Sequence, residues 1–406
     1  MATSLIYLKL LDCQPAIIRE ECTLDKNDVA AVRCSSYERG LVRESVARAF
    51  ELLGGPGALV REGESVFVKV NGLIPSAPEK AVTTHPEVVR AVVEQIMTVT
   101  PGVTIGDSPG GVYNKTMLKR VYEKCGFASV AEETGAKLNF DFSVRQKKVP
   151  EAKTMKSFTL CGAMIDADRL ISVSKFKTHL QMNITGAIKN VFGAVPGLTK
   201  FNYHSKYNTG DDFADLMVDI VLAAEPSLHI IDAVEGMDGN GPRAGDIKKM
   251  GIIAACRDAF ALDRLMMDLV GIPRGANKPL GAAIKRGLIS GNSSELRVLG
   301  DGLEALRVEG FRLPVKKDIT ARMPSFLTDM VAARLSIRPR PDPVVCTACG
   351  KCAEICPEGA ISVVDRAARV DLSKCIRCYC CHELCEHDAI ELERPLLMRL
   401  INRIGG

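Results

Sequence analysis

Between residues 343 and 392 the chain carries two cysteine runs with one spacing. Cys346, Cys349, Cys352 and Cys356 form C-x2-C-x2-C-x3-C, followed by Pro357. Cys375, Cys378, Cys381 and Cys385 repeat the spacing. Thiolate is a soft donor, and sets of four suit an iron–sulfur cube. Three close cysteines reach one cube, while the fourth lies beyond that reach and ligates the other, so the runs come as a pair. The expected assignment is crossed. Cys346, Cys349, Cys352 and Cys385 hold one [4Fe–4S] cluster, and Cys375, Cys378, Cys381 and Cys356 hold a second. Structural zinc also uses four cysteines, but usually from two C-x2-C knuckles, which two full four-cysteine runs do not match. Two details depart from the pattern. Glu386 stands where a second proline is expected, and Cys380 beside Cys381 offers a slipped register. The spacing from Cys375 and Cys378 favours Cys381 as the ligand.

Three further stretches could do chemistry. Gly106-Asp107-Ser108-Pro109-Gly110-Gly111 follows an apolar run. Such a turn lets backbone N–H groups approach an anion, although Asp107 argues for a cation or hydroxyl. Residues 172–197, SVSKFKTHLQMNITGAIKNVFGAVPG, carry Lys175, Lys177 and His179 directly after a predicted strand. Strand alternation would put both lysines on one side, where they could grip a carboxylate or phosphate. His179 could exchange protons near neutral pH. Lys189 and Asn190 fall on a predicted helix after Thr185-Gly186. Residues 232–242, DAVEGMDGNGP, offer Asp232 and Glu235 at another strand end. Taken singly, each stretch also reads as turn chemistry or a solvated charge pair.

The cysteine runs resemble the bacterial two-cluster ferredoxin module. Together, SKFKTH…GAIKNVFG, GDSPGG and DAVEGMDGNGP resemble the uncharacterised DUF362 family over roughly residues 30–300. Members of that family often carry such a module at the C-terminus. The resemblance implies that Lys175, Lys177, His179, Lys189 and Asn190 line a site, with Asp107 and Asp232 nearby. It implies no particular reaction.

The elements that must position these groups alternate. Strands are predicted at residues 29–34, 65–70, 103–105, 169–173, 228–232 and 251–255. Helices are predicted at 41–53, 86–97 (capped by Thr84), 115–124, 128–134, 183–191, 212–224 and 258–270. Alternation of this kind gives an α/β fold, a layered and mainly parallel sheet with flanking helices, whose sites gather at the carboxyl ends of the strands. No strand leads into G-x-G-x-x-G or a Walker A loop, so neither a dinucleotide site nor a P-loop is expected. We divide the chain into an α/β domain at 1–314 and a basic, proline-marked linker at 315–342 with a short helix at 325–335. A small α+β ferredoxin-like module at 343–393 and an amphipathic tail at 394–406 follow. The tail is expected to pack on its own domain rather than lie on a membrane.

The net charge of +4 over 406 residues gives no global signal for nucleic acid. No charged leader precedes an apolar core at the N-terminus, and no apolar window is long enough to span a bilayer. Of fifteen cysteines, those outside the module (Cys13, Cys22, Cys34, Cys125, Cys161 and Cys256) are scattered and read as small buried hydrophobes. Clusters need reduced thiols, so the expected setting is a reducing, anaerobic cytoplasm. Three functions fit. The clusters could relay low-potential electrons to an anionic substrate or cofactor in the α/β domain, exchanging with a donor or acceptor protein. The chain could be an electron-carrying docking subunit, its basic linker meeting an acidic partner. It could also be a non-redox enzyme acting on a carboxylate, with structural clusters.

Overall fold

The computed structural model describes residues 24–292, 296–314 and 337–393. The expected helix at 325–335 and the tail at 394–406 lie outside the described residues. The α/β domain is built on β1 (Val29–Arg33), β2 (Val66–Lys69), β3 (Val103–Gly106), β4 (Lys137–Leu138), β7 (Arg169–His179), β8 (Asn183–Thr185), β9 (Leu228–Asp238), β10 (Asp246–Cys256) and β11 (Val298–Gly300). Between β4 and β7 a separate hairpin pairs β5 (Val144–Lys148) with β6 (Ser157–Cys161). The sheet order is β11-β1-β10-β9-β7-β2-β3-β4, with β8 paired to β7. β9, β7, β2, β3 and β4 run parallel, and the antiparallel partners are β10 and β8.

Period-two alternation divides the sheet between two cores. Val29 and Ala31 of β1, Phe67 of β2 and Ile252 and Ala254 of β10 face one cluster with the helices Gly210–Ala224 and Ala259–Leu269. Ala30, Val32, Val66, Val68, Ile253 and Ala255 face the other, against Arg39–Leu52, Pro86–Met97 and Lys115–Lys124. Strands buried on both faces read as continuous apolar runs, which is why β2 and β10 are recognisable in sequence.

Four expectations change. β7 continues past residue 173 to His179, so Lys175, Lys177 and His179 stand on the strand itself. The predicted helix at 183–191 is instead β8, a short helix Ala187–Asn190 and a 3-10 turn Val191–Ala194. β-branched Ile184 and Thr185 favour pairing with β7 over helix. His85, not Thr84, caps the helix at Pro86: its Nδ1 accepts from Glu87 N, while Thr84 Oγ donates to Val173 O. Residues 338–341, expected as linker, form β12 (Arg338–Pro341) and pair with β15 (Ile390–Glu393).

The module adds a second hairpin, β13 (Ile361–Val364) and β14 (Ala367–Val370). Its two cysteine loops share one backbone path. Ala348 and Gly350 have positive φ two and four residues after Cys346, as do Arg377 and Tyr379 after Cys375. Gly359 and Asp388 have it three residues after Cys356 and Cys385. Left-handed residues at matched places let each loop curl around its own centre. No helix among the described residues is long and apolar enough to cross a membrane.

Candidate functional site

The carboxyl ends of β2, β3 and β7 deliver Lys69, Asp107, Lys177 and His179 to one cleft. The segment after β8 adds Lys189, Asn190, Lys200 and His204. Cys380, Glu383 and Leu384 of the module line the same cleft. The site therefore lies between the α/β domain and the cysteine-rich module.

Every buried cation here is tied by a specific geometry. Lys69 pairs with Asp107 at 2.9 Å, and Asp107 also accepts from Gly72 N at 2.7 Å and Ser108 N at 2.9 Å. Gly193 permits that pair, since a Cβ there would lie 2.3 Å from Asp107 Oδ1. Lys177 donates to Asn71 Oδ1 at 3.2 Å and to Val82 O. Asn71 donates in turn to Asn190, and Asn190 to Ser172. Lys200 donates to Ser108 O at 2.7 Å and to Val195 O. Lys189 is different. It is half-buried 5.8 Å above the Phe192 ring and has no carboxylate within salt-bridge distance among the described residues. Its helix is held by Asp263, which accepts from Ala187 N at 2.5 Å and Ile188 N at 3.3 Å.

His179 fixes the tautomer question by its neighbours. Its Nδ1 accepts from Gln181 N and Met182 N, so the proton sits on Nε2, 2.9 Å from Glu383 Oε1. Burial alone would raise the Glu383 carboxyl, but His179, Lys189 and His204 outweigh it and draw it down to about 2. His204, stacked on Phe213, is pushed by burial to about 3 and is neutral. Its Nδ1 and the Thr185 hydroxyl have no hydrogen-bond partner among the described residues, although both are buried in the cleft wall. Unsatisfied buried polar atoms in a roomy polar site are places for a ligand or water.

Four lysines against Asp107 and Glu383 make the cleft net positive. Burial, then the neighbouring Lys189, lowers Lys177 to about 7, with Glu383 and Asp107 opposing and Lys175 adding to the shift. Burial lowers Lys200 to about 8. The ammonium forms are therefore present at low pH and lost as pH rises through about 7 to 8. A bound anion favours them, so anion affinity should fall by roughly tenfold or more from pH 6.5 to about 9, with proton uptake on binding. Sulfate, which keeps one charge state across this range, titrated by calorimetry in two buffers of different ionisation enthalpy checks both signs.

Of the residues expected from sequence, Asp107, Lys177, His179, Lys189 and Asn190 line the cleft, and Lys175 and Asp232 do not. The pairing of β7 with β9 shifts register between Lys175 and Lys177, with the extra residues on β9, so the two lysines meet different neighbours on that strand. Lys175 instead pairs with Asp232 at 2.7 Å and donates to Tyr37 Oη at 2.6 Å, fully buried. Lys69, Lys200, His204 and Glu383 were not expected. Lys69 ends an apolar strand whose final residue carries no motif. Lys200 and His204 lie on a helix (Thr199–Lys206) beyond the recognised stretch.

The eight cysteines gather in two rings, in the crossed sets. Cys346, Cys349, Cys352 and Cys385 surround one small cavity, and Cys356, Cys375, Cys378 and Cys381 surround the other. None is in a disulfide. Backbone N–H groups donate to sulfur, from Ala368 to Cys346, Ala360 to Cys356 and Ala389 to Cys385. Among the described residues no three His, Cys, Asp or Glu side chains converge on a single-ion site. Thiolates spread around a cavity, with amides aimed at them, fit an iron–sulfur cube better than one zinc ion. The first set is the outer one, with Cys349 exposed. The second is the inner one: Cys378 packs with Cys380 and Leu384 against Phe201 and Ile355. Cys34, Cys125, Cys161 and Cys256 are buried, and burial pushes their thiols up, as small hydrophobes.

The family described as Domain of unknown function (DUF362) matches residues 66–268, and a 4Fe-4S dicluster domain matches residues 338–386. A thylakoid-associated protein of Synechocystis sp. is 30% identical over 293 residues, 70% of this chain and 87% of that protein. One component of an ion-translocating oxidoreductase complex from Methanosarcina acetivorans is 45% identical over 49 residues, 12% of this chain and 19% of that one. Among solved structures, the lactate racemase apoprotein of Thermoanaerobacterium thermosaccharolyticum aligns at 13% identity and a TM-score of 0.37, covering 58% of this chain and 56% of that one. Half of the sequence falls within one family and the cysteine rings within a 4Fe–4S domain. The chain is thus an iron–sulfur protein that belongs to the DUF362 family.

Proposed function

We propose that the protein is an iron–sulfur oxidoreductase whose two [4Fe–4S] clusters exchange low-potential electrons with a small anionic substrate or cofactor in the lysine-lined cleft. One observation carries this reading: the module walls the cleft with Cys380, Glu383 and Leu384, in the same segment as the inner ligands Cys378 and Cys381. A purely structural cluster has no need to share a wall with the site. Each cluster, when bound, passes one electron at a time. The chain's own residues do the rest. Lys189, Lys177 and Lys200 hold the anion, Phe192, Phe201 and Leu384 exclude water, and His179 holds a proton on Nε2 toward Glu383. An electron-carrier protein exchanges at the exposed Cys349 end.

The test is reoxidation. Dithionite-reduced holoprotein, freed of excess reductant, is mixed anaerobically with the small-molecule fraction of a cell extract. Electron paramagnetic resonance follows the reduced signal. Lys189→Met removes the cleft's least-compensated cation, and loss of one charge-assisted contact costs about 1.5–3 kcal/mol, or roughly ten- to hundredfold in anion affinity. We expect the wild-type signal to decay and the variant, with full iron and sulfide, to decay at least tenfold more slowly. Equal rates sink the relay. Retained substrate turnover in Cys349→Ser protein that has lost a cluster would favour a non-redox enzyme instead.

A further inference from the structure

The cleft does not end at its lysines. A second chamber lies beside it, between the helices Lys115–Lys124 and Lys351–Glu354. The two chambers share three wall residues, Leu73, Gly110 and Leu384. Their chemistry differs. The inner one is ringed by cations and by the unsatisfied His204 and Thr185 atoms. The outer one is walled by Ile74, Pro75, Val112, Met117 and Ile355, with Arg120, Lys351, Glu354 and Glu386 beside them. There Glu386 takes both Arg120 and Lys351 at 2.5 Å, and the remaining charged side chain, Glu354, is on an exposed residue.

Gly110 sits at the neck. A Cβ there would lie 3.0 Å from Leu384 Cδ1, and its φ is not in the left-handed region, so the backbone does not demand glycine. What the position demands is room. A larger residue would press on Leu384, which lines both chambers.

From this juxtaposition we infer that the substrate is amphipathic: an anionic head, carboxylate or phosphate, seated among Lys177, Lys189 and Lys200, with an apolar extension that passes Leu384 into the outer chamber. The inference rests on the anion-binding reading of the inner cleft. It adds the shape and polarity of the rest of the molecule. Burying a methylene changes affinity by about fourfold at most, so chain length is a sensitive probe.

The experiment titrates anaerobic holoprotein with linear carboxylates from acetate to decanoate, each below its micelle range, by calorimetry. Octylamine and methyl phosphate serve as head-group probes. Affinity should climb by roughly two- to fourfold per methylene once the chain is long enough to pass the neck. Octylamine should bind at least tenfold more weakly than octanoate. In Met117→Glu, which places a carboxylate in the outer wall, the decanoate-to-acetate affinity ratio should fall at least tenfold. Gly110→Val, which crowds the neck from the other side, should lower the same ratio. Iron content reports that each variant is folded. Acetate or methyl phosphate binding without any dependence on chain length overturns the amphipathic substrate and leaves the anion site standing. Failure of every anion to bind, with no difference in Lys189→Met, overturns both.

Discussion

Replacing Asp232 with asparagine should lower stability by about 3–5 kcal/mol, which is the cost of leaving a buried charge without its partner. Asp232 and Lys175 are both essentially sealed from solvent, 2.7 Å apart. Asp232 also accepts from Tyr37 Oη at 2.8 Å and His85 N at 2.9 Å, and Tyr37 stacks on the His85 ring at 3.6 Å. One carboxylate thus ties β9 and β7 to the entries of the helices Arg39–Leu52 and Pro86–Met97. Burial lowers the Lys175 ammonium and Asp232 opposes that shift. Without the carboxylate, burial acts on the lysine unopposed by its nearest counter-charge. In a domain of this size the loss corresponds to a fall of roughly 10 °C in melting temperature. The companion change Lys175→Met on the Asp232→Asn background should restore more than half, because it removes the buried ammonium left without its counter-charge. Anaerobic thermal unfolding measures both. A fall below about 1 kcal/mol in the single variant would show that the pair is not the tie described.

The second large effect concerns the two adjacent cysteines. Cys381 belongs to the inner ring, whereas Cys380 reaches the cleft wall as well. Cys381→Ser should strip the inner site, reducing iron from roughly eight to roughly four per chain, and should abolish electron exchange with the cleft. Cys380→Ser should keep all the iron. Its effect should appear in the reduced spectrum and in substrate affinity, since the sulfur borders both. Iron and acid-labile sulfide, read beside electron paramagnetic resonance, separate the outcomes. Full iron in Cys381→Ser with loss in Cys380→Ser would mean that the ligand register is slipped by one residue.

Much of the fold and of the grouping of the cysteines is legible in the sequence. Thiolate spacing constrains ligation because short loops leave few geometries, so the crossed sets follow from the spacing alone. Continuous apolar runs such as SVFVKV mark buried parallel strands for the same reason. What the sequence hides depends on contacts between distant segments. Lys69 looks like any lysine at a strand end until Asp107 and Gly193 are placed beside it. Glu383 reads as a module surface residue until His179 stands 2.9 Å away. Lys175 and Lys177 obey strand alternation in sequence, but the register shift against β9 sends them to different neighbours. The helix predicted at residues 183–191 fails because local apolar periodicity cannot tell a β-hairpin return from a helical turn.

The crossed ligation has a consequence for how the protein is made. Each ring of four takes three sulfurs from one loop and its last from the other, so neither can be completed by half a module. Filling them is a mutual act, and metal binding of that kind is itself folding. The segment that closes the lysine cleft, Cys380–Leu384, is strung between two of those sulfurs, Cys378 and Cys385. If the rings hold clusters as proposed, the wall that Cys380, Glu383 and Leu384 give the lysine cleft is set by the same assembly that fills the rings.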